Sequence, residues 1–372
     1  MPCIIPHPGA FYGDVFPLTR GVLPYGEVRV PTGRLGSRMK PSELQDTLHT
    51  LIDRRLLLTV MLWGKPGIGK SAIVHQVART QGLQVVDTRI SQLAPTDLRG
   101  LPVPDLERGV ARWLAPQFLP REQNCILFLD ELNLAPPVMQ GIAQQLILDR
   151  RVGDYEVPEG VFIWAAGNRK EDRAAVFDMT RPVANRMIHY HLEEQLDDFR
   201  AYAMRAAVPE QIIAFLGYRP ALLHDMSGPG LAFPSPRSWE MAGQLHAAGL
   251  PVGAAVGEGA AGEFESFLRV YGHLPDAALI LARGAASGIP FPRASDERWA
   301  ITTALALRTR TPEEAGNALK WIGAAHLEWM QLTASLIMPR LRAEGLLTAF
   351  ALLLTTDSAL EQLMDQYTDV LS

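Results

Sequence analysis

A chain of 372 residues holds about two and a half domains at roughly 150 residues each, which excludes a peptide or a single small binding module. Hydrophobic residues make up 48% and charged residues 20%, the balance of a folding globular chain. The net charge of -5 offers no positive field for a phosphate backbone or an anionic membrane, so nothing supports nucleic acid as a partner. No apolar run reaches the roughly 18 residues that span a bilayer, so no membrane association is expected. The N-terminus lacks the basic start of a secretory signal, and Cys3 and Cys125 form no disulfide framework or zinc spacing, which points to a reducing cytoplasm.

Residues 1–40 mix glycine, proline and aromatics without a period and read as an irregular arm. Ser42 then caps an expected helix with Leu44, Leu48, Leu51 and Ile52 on one face, and Leu56 to Trp63 reads as a buried strand. Further apolar runs, Leu83 to Val86, Cys125 to Leu129, Val161 to Ala166 and Met187 to Leu192, alternate with helical segments such as Ser71 to Arg79 and Pro137 to Leu148. That alternation predicts an α/β fold with a mainly parallel sheet covered on both faces. After His191 the strand signal stops and helices follow, from Asp198 to Ala207 and Pro209 to Phe215 through to Asp357 to Tyr367. The expected organisation is an arm over 1–40, an α/β core over 41–195, a helical lid over 196–310 and a helical extension over 311–372.

Between the first buried strand and the next helix stand Gly64, Lys65, Pro66, Gly67, Ile68, Gly69, Lys70 and Ser71, which satisfy GxxxxGK[ST]. The glycines let backbone N–H groups close around phosphates, Lys70 reaches the β and γ phosphates, and the Ser71 hydroxyl can ligate magnesium. Lysines occur elsewhere only at positions 40, 170 and 320, so this pair in one loop stands out. The run Cys125 to Leu129 ends in Asp130 and Glu131, a costly place for two acids unless they emerge at the strand's open end beside a ligand. Asp130 would hold the magnesium and Glu131 would polarise the water that attacks the γ phosphate, which implies hydrolysis.

Asn168, after Val161 to Ala166 and Gly167, serves either to orient that water or as an ordinary turn residue. Arg181 and Arg186 flank the last expected strand's approach, and either could be supplied to a neighbouring subunit's phosphates or stay a solvated charge. Ser235 and Pro236 open a helix that puts Arg237 at its N-terminus, where its charge opposes the helix dipole; an anionic partner or a salt bridge explains it. His189 and His191 lie two apart on one strand face and are read as packing residues rather than metal ligands.

In this order the motifs resemble an AAA+ ATPase over about residues 40–280. The stretches Thr88 to Gly100, Leu129 to Pro137, Ala165 to Arg173 and Phe233 to Glu240 resemble the MoxR-like, dynein-related branch. The resemblance implies a five-stranded parallel core sheet with an all-α lid, ATP and Mg2+ as ligands, and named roles. Lys70 and Ser71 belong to Walker A, Asp130 and Glu131 to Walker B, Asn168 is sensor 1, Arg237 is sensor 2, and Arg186 is the arginine finger with Arg181 in reserve. It also implies a hexameric ring with nucleotide between subunits, and a separate partner bearing a von Willebrand factor A domain. Leu101 to Trp113, with Glu107, Arg108 and Gly109 at its tip, matches the hairpin insert of that branch. The function implied is a chaperone or remodelling motor driven by ATP hydrolysis. The alternative is an AAA+ motor acting on nucleic acid with a nuclease partner, and a third is a nucleotide-gated scaffold, against which Glu131 argues. The guanine signature NKxD is missing, so ATP is preferred to GTP.

Overall fold

A computed structural model describes residues 38–172 and 177–362. The arm expected over residues 1–40 lies outside them except for its last residues, as does the end of the helix expected over Asp357 to Tyr367.

The described chain opens with strand β1 (Arg38–Met39), helix α1 (Pro41–Asp53), β2 (Val60–Trp63), α2 (Lys70–Thr80) and β3 (Gln84–Arg89). Helix α3 (Pro95–Arg99) leads into an antiparallel hairpin of β4 (Leu101–Asp105) and β5 (Val110–Leu114), as expected for this segment. Then come β6 (Cys125–Asp130), α4 (Pro137–Leu148), a small hairpin of β7 (Arg151–Val152) and β8 (Tyr155–Glu156), β9 (Phe162–Gly167), α5 (Arg181–Ala184) and β10 (Ile188–Leu192). The main sheet runs β1-β10-β2-β9-β6-β3, with every pair parallel.

The parallel α/β sheet expected from the apolar runs is present, with three corrections. It has six strands and not five: Arg38 and Met39 pair with His191 and Leu192 at the edge, and two residues have no period to read. The run Leu56 to Trp63 is strand only from Val60. Arg55 turns the chain with a left-handed backbone, φ 51°, and leaves Leu56, Leu57 and Leu58 43%, 40% and 45% exposed. Ser42 is not the cap of α1, whose N-cap is Lys40; the Ser42 amide and hydroxyl both donate to Asp198 Oδ2, at 2.9 and 3.1 Å.

Alternation along the strands sends successive side chains to opposite faces. Val60, Leu62, Ile126, Phe128, Phe162 and Trp164 meet Leu44 and Leu48 of α1 and Val74 and Val77 of α2 on one face. On the other, Met61, Leu127, Leu129, Ile163 and Ala165 meet Met139, Ile142 and Leu146 of α4. Each large apolar side chain so buried contributes roughly 1.5–3 kcal/mol, which is what pins the strand ends at fixed positions.

Beyond Leu192 the described chain is helical: α6 (Leu196–Arg205), α7 (Glu210–Tyr218), α8 (Pro236–Ala247), α9 (Gly253–Val256) and α10 (Glu258–Tyr271) surround Phe215, Trp239, Phe264 and Phe267. Helices α11 (Ala277–Arg283), α12 (Ser295–Arg308), α13 (Pro312–Gly323), α14 (Leu327–Ala343) and α15 (Leu347–Thr356) build a second cluster on Ile280, Leu305, Leu319 and Ile337. Ala300 and Ala304 of α12 pack into the first cluster while Ile301 and Leu305 pack into the second, so one helix ties the two together. No helix among the described residues is long and apolar enough to cross a membrane.

Candidate nucleotide site

The loop from Gly64 to Gly69 joins the carboxyl end of β2 to α2, whose first residues are Lys70 and Ser71. Lys70 is only 9% exposed. Its ammonium has three N–H groups and finds three acceptors: the carbonyls of Gly64 at 2.7 Å and Lys65 at 3.1 Å, and Asn168 Oδ1 at 2.8 Å. Burial pulls its pKa down to about 8; Asp130 and Asp172 oppose that fall, and Arg237 and Arg169 add to it.

Strand β6, buried along its length, delivers Asp130 and Glu131 to the same end of the sheet. Asp130 Oδ2 accepts from the Ser71 hydroxyl at 2.7 Å, and Oδ1 accepts from the Glu131 amide at 2.9 Å. Glu131 itself has a left-handed backbone, φ 54°, which costs a non-glycine residue of order 1 kcal/mol or more. Its carboxylate Oε2 accepts from Ser91 Oγ at 2.9 Å. Ser91 sits in the turn after β3, the strand beside β6.

Strand β9 brings Asn168 next to Lys70. Asn133, 2% exposed and just past Glu131, locks it there: Asn133 Nδ2 donates to the Asn168 carbonyl at 2.7 Å, and the Asn168 amide donates to Asn133 Oδ1 at 3.2 Å. Residue 167 has to be glycine for this approach, because a Cβ there would collide with Asn133 Oδ1 and stand 2.6 Å from Met61 Cε. Arg169, beside Asn168, pairs with the buried Asp172, its Nε 3.1 Å from Oδ2.

The helices after the sheet reach the loop from its other side. Ser235 caps α8 as expected, its Oγ accepting from the Ser238 amide at 3.1 Å, and the Arg237 amide donates to the Gly67 carbonyl at 3.3 Å. Gly67 has φ 77° and a Cβ on it would lie 2.7 Å from Ser235 Oγ, so both its backbone and its neighbour require glycine. His224 Nε2 donates to the Pro66 carbonyl at 2.9 Å, and Lys65 Nζ pairs with Glu194 Oε1 at 2.5 Å. Burial lowers the His224 pKa, consistent with a neutral ring in this contact. Ile68, 5% exposed, anchors the loop in the sheet's core.

Two hydrogen-bonded pairs, Lys70 with Asn168 and Ser71 with Asp130, thus stand side by side at the start of α2, with Glu131 next to Asp130 and Arg237 at the start of α8. Arg181, at the first position of α5, and Arg186, before β10, are exposed, as is Arg237. None of the three forms an ion pair among the described residues. Sequence reasoning assigned no chemistry to Ser91, Asn133, Asp172, Glu194 or His224. Ser91 and Asn133 lie inside strings that carry the family resemblance, but their partners are 40 and 35 residues away and no local spacing marks them.

The sequence profile of the ATPase family associated with various cellular activities (AAA) matches residues 60–175. Among curated proteins, midasin from Dictyostelium discoideum is 31% identical over 142 residues, 37% of this chain and 2% of that protein. Midasin from Giardia intestinalis is 25% identical over 163 residues, 41% of this chain and 3% of that protein, so the chain spans only a small fraction of either relative. Among solved structures, the RuvB Holliday junction branch migration motor of Thermotoga maritima aligns at 14% identity with a TM-score of 0.33, over 62% of each chain. A putative ATPase from Cytophaga hutchinsonii aligns at 14% identity and a TM-score of 0.35, over 72% of this chain and 74% of its own. The family match lies over the phosphate loop, the strand-end acids and Asn168, so residues 60–175 are similar in sequence to the AAA ATPase family.

Proposed function

We propose that the chain is an ATP-hydrolysing AAA+ subunit of the MoxR-like kind, a chaperone or remodelling motor working as a hexameric ring with a separate von Willebrand factor A domain partner. The observation that carries the reading is the gathering of two pairs, Lys70 with Asn168 and Ser71 with Asp130, at the carboxyl ends of β2, β6 and β9, with Glu131 beside them. Loop amides and Lys70 hold the ATP phosphates; Asn168 orients the attacking water; Glu131 takes a proton from that water as its oxygen bonds to the γ phosphorus and ADP leaves. Ser71 Oγ and Asp130 Oδ2, hard oxygens 2.7 Å apart, suit Mg2+, which when bound supplies charge neutralisation at the phosphates. Arg237 answers the phosphates from the lid, and Arg186, with Arg181 in reserve, answers those of the neighbouring subunit.

Contact of α8 with the loop at Gly67 and of His224 with Pro66 gives hydrolysis a direct way to move the helical region. Light scattering with phosphate-release kinetics, with and without Mg-ATP, tests the whole reading. A hexamer-sized particle with cooperative turnover is expected, and a monomer that turns over at full rate would refute the ring.

Ser91 is expected to restrain the base. Removing its hydroxyl in Ser91→Ala frees Glu131 from one hydrogen bond to a charged acceptor, so basal turnover should rise a few-fold, up to about tenfold, at unchanged ATP affinity. A lower rate in phosphate-release assays would show instead that Ser91 orients the base productively.

A further inference from the structure

Trp63 is the last residue of β2, directly before the phosphate loop, and its indole N–H donates to His189 Nδ1 at 2.9 Å. The opposite ring nitrogen of His189, Nε2, lies 2.7 Å from the carbonyl of Ala184, the last residue of α5. An indole N–H can only donate and a carbonyl can only accept, so the imidazole is fixed as the neutral tautomer with its proton on Nε2. The Trp63 ring also lies nearly parallel to two histidines of β10, with centroids 6.1 Å from His189, which meets its N–H edge, and 6.3 Å from His191, at interplanar angles of 16° and 18°. Val183 and Met187 anchor the same short segment in the core, so Arg181 and Arg186 project from a segment held from below by packing and from the side by one imidazole.

We propose that His189 is a positioning residue for the arginine that this subunit offers to its neighbour, fixing α5 to the strand end that leads into the subunit's own phosphate loop. The proposal rests on the reading that Arg181 or Arg186 acts in trans. Either ring nitrogen could have faced water; instead both are spent on bridging two elements more than a hundred residues apart in sequence, |i−j| being 126 for the Trp63 bond. Loss of either bond lets α5 shift on its support, and a misplacement of about 1 Å in a group that must meet a transferring phosphate costs up to 100-fold in rate.

The test uses full-length subunits mixed in one ring. Subunits made silent by Glu131→Gln are combined with wild-type subunits, so the turnover measured comes from wild-type sites, some of which face a silent neighbour's arginine. Adding His189→Phe or Trp63→Phe to the silent subunit is expected to lower kcat at those neighbouring sites about fivefold to tenfold while KM stays unchanged. His189→Gln, whose amide N–H can reach the Ala184 carbonyl while its amide oxygen accepts from the Trp63 indole, should keep most of the rate. Because phenylalanine keeps an aromatic ring at both positions, a purely packing role predicts little change at the neighbouring sites. Trp63→Phe removes the indole N–H together with the fused five-membered ring while leaving His189 itself in place, and it gives a second reading if His189→Phe does not fold. Silent subunits carrying Arg181→Ala or Arg186→Ala run alongside. If neither arginine variant lowers neighbouring turnover, the trans reading falls and the proposal with it. If one does while His189→Phe and Trp63→Phe do not, the positioning role alone is overturned.

Discussion

Glu131→Gln should bind ATP as tightly as the wild-type chain and hydrolyse it at least 100-fold more slowly. The amide is nearly the same shape as the carboxylate and can still accept from Ser91, so the left-handed turn at residue 131 and the hydrogen bond from its amide to Asp130 persist. What it loses is the ability to take a proton. A positioned general base contributes about 10²- to 10⁴-fold to such a step, and none of the groups that grip the phosphates is touched by this change. An ATP titration by calorimetry and a phosphate-release assay on the same preparation separate the two effects. Turnover at the wild-type rate would remove Glu131 as the base, whereas a parallel loss of binding would mean that its charge helps hold the nucleotide. The loaded but inert protein is also the form in which the proposed ring should be most populated.

The residues of this site were readable in the sequence to the extent that their geometry is local. GxxxxGK[ST] works because the glycines, the lysine and the hydroxyl all act within one turn of chain, so spacing alone encodes the shape. Asp130 was legible because an apolar run ending in two acids has one sensible place in a parallel sheet, the open carboxyl end. The hairpin at 101–114 was legible from its bounding prolines and Gly109, whose φ of 64° serves the turn.

The contacts that were not legible are those made by single polar atoms across the fold. Asn133 clamps Asn168 through two hydrogen bonds, and Ser91 holds Glu131, yet each is one polar residue in a turn, where polar residues are ordinary. The docking of Ser235, Arg237 and His224 on Pro66 and Gly67 depends on how helices beyond residue 195 fold back on the sheet, which no periodicity reports. Ser42 illustrates the same limit from the other side. Its position suggested a cap, but Asp198 in α6 competes for its amide and hydroxyl and wins, leaving Lys40 as the cap. Leu56 to Leu58 looked like strand because apolar composition does not disclose where neighbouring strands begin; pairing partners are in place only from Val60, opposite Ile188 and Trp164.

For Lys70 the expectation concerns both affinity and its dependence on pH. In the empty site burial holds the ammonium's pKa down at about 8. Bound phosphates bring negative charge against it and raise that value again, so at a pH between the two the empty site is neutral and the loaded site is charged. Binding therefore takes up a proton in that window, and affinity for Mg-ATP should be level below about pH 8 and fall by up to tenfold per pH unit above it. If the ammonium were charged in both states no proton would move, and affinity would not change with pH across this window. Lys70→Ala should weaken ATP binding by about 100-fold or more, the loss of charge-assisted hydrogen bonds to two phosphates, and should also flatten the pH dependence. Calorimetry in two buffers of different ionisation enthalpy reads the proton uptake directly. A variant that keeps wild-type affinity would refute the phosphate role of Lys70, and one that loses affinity but keeps the slope above pH 8 would assign the titration to another group.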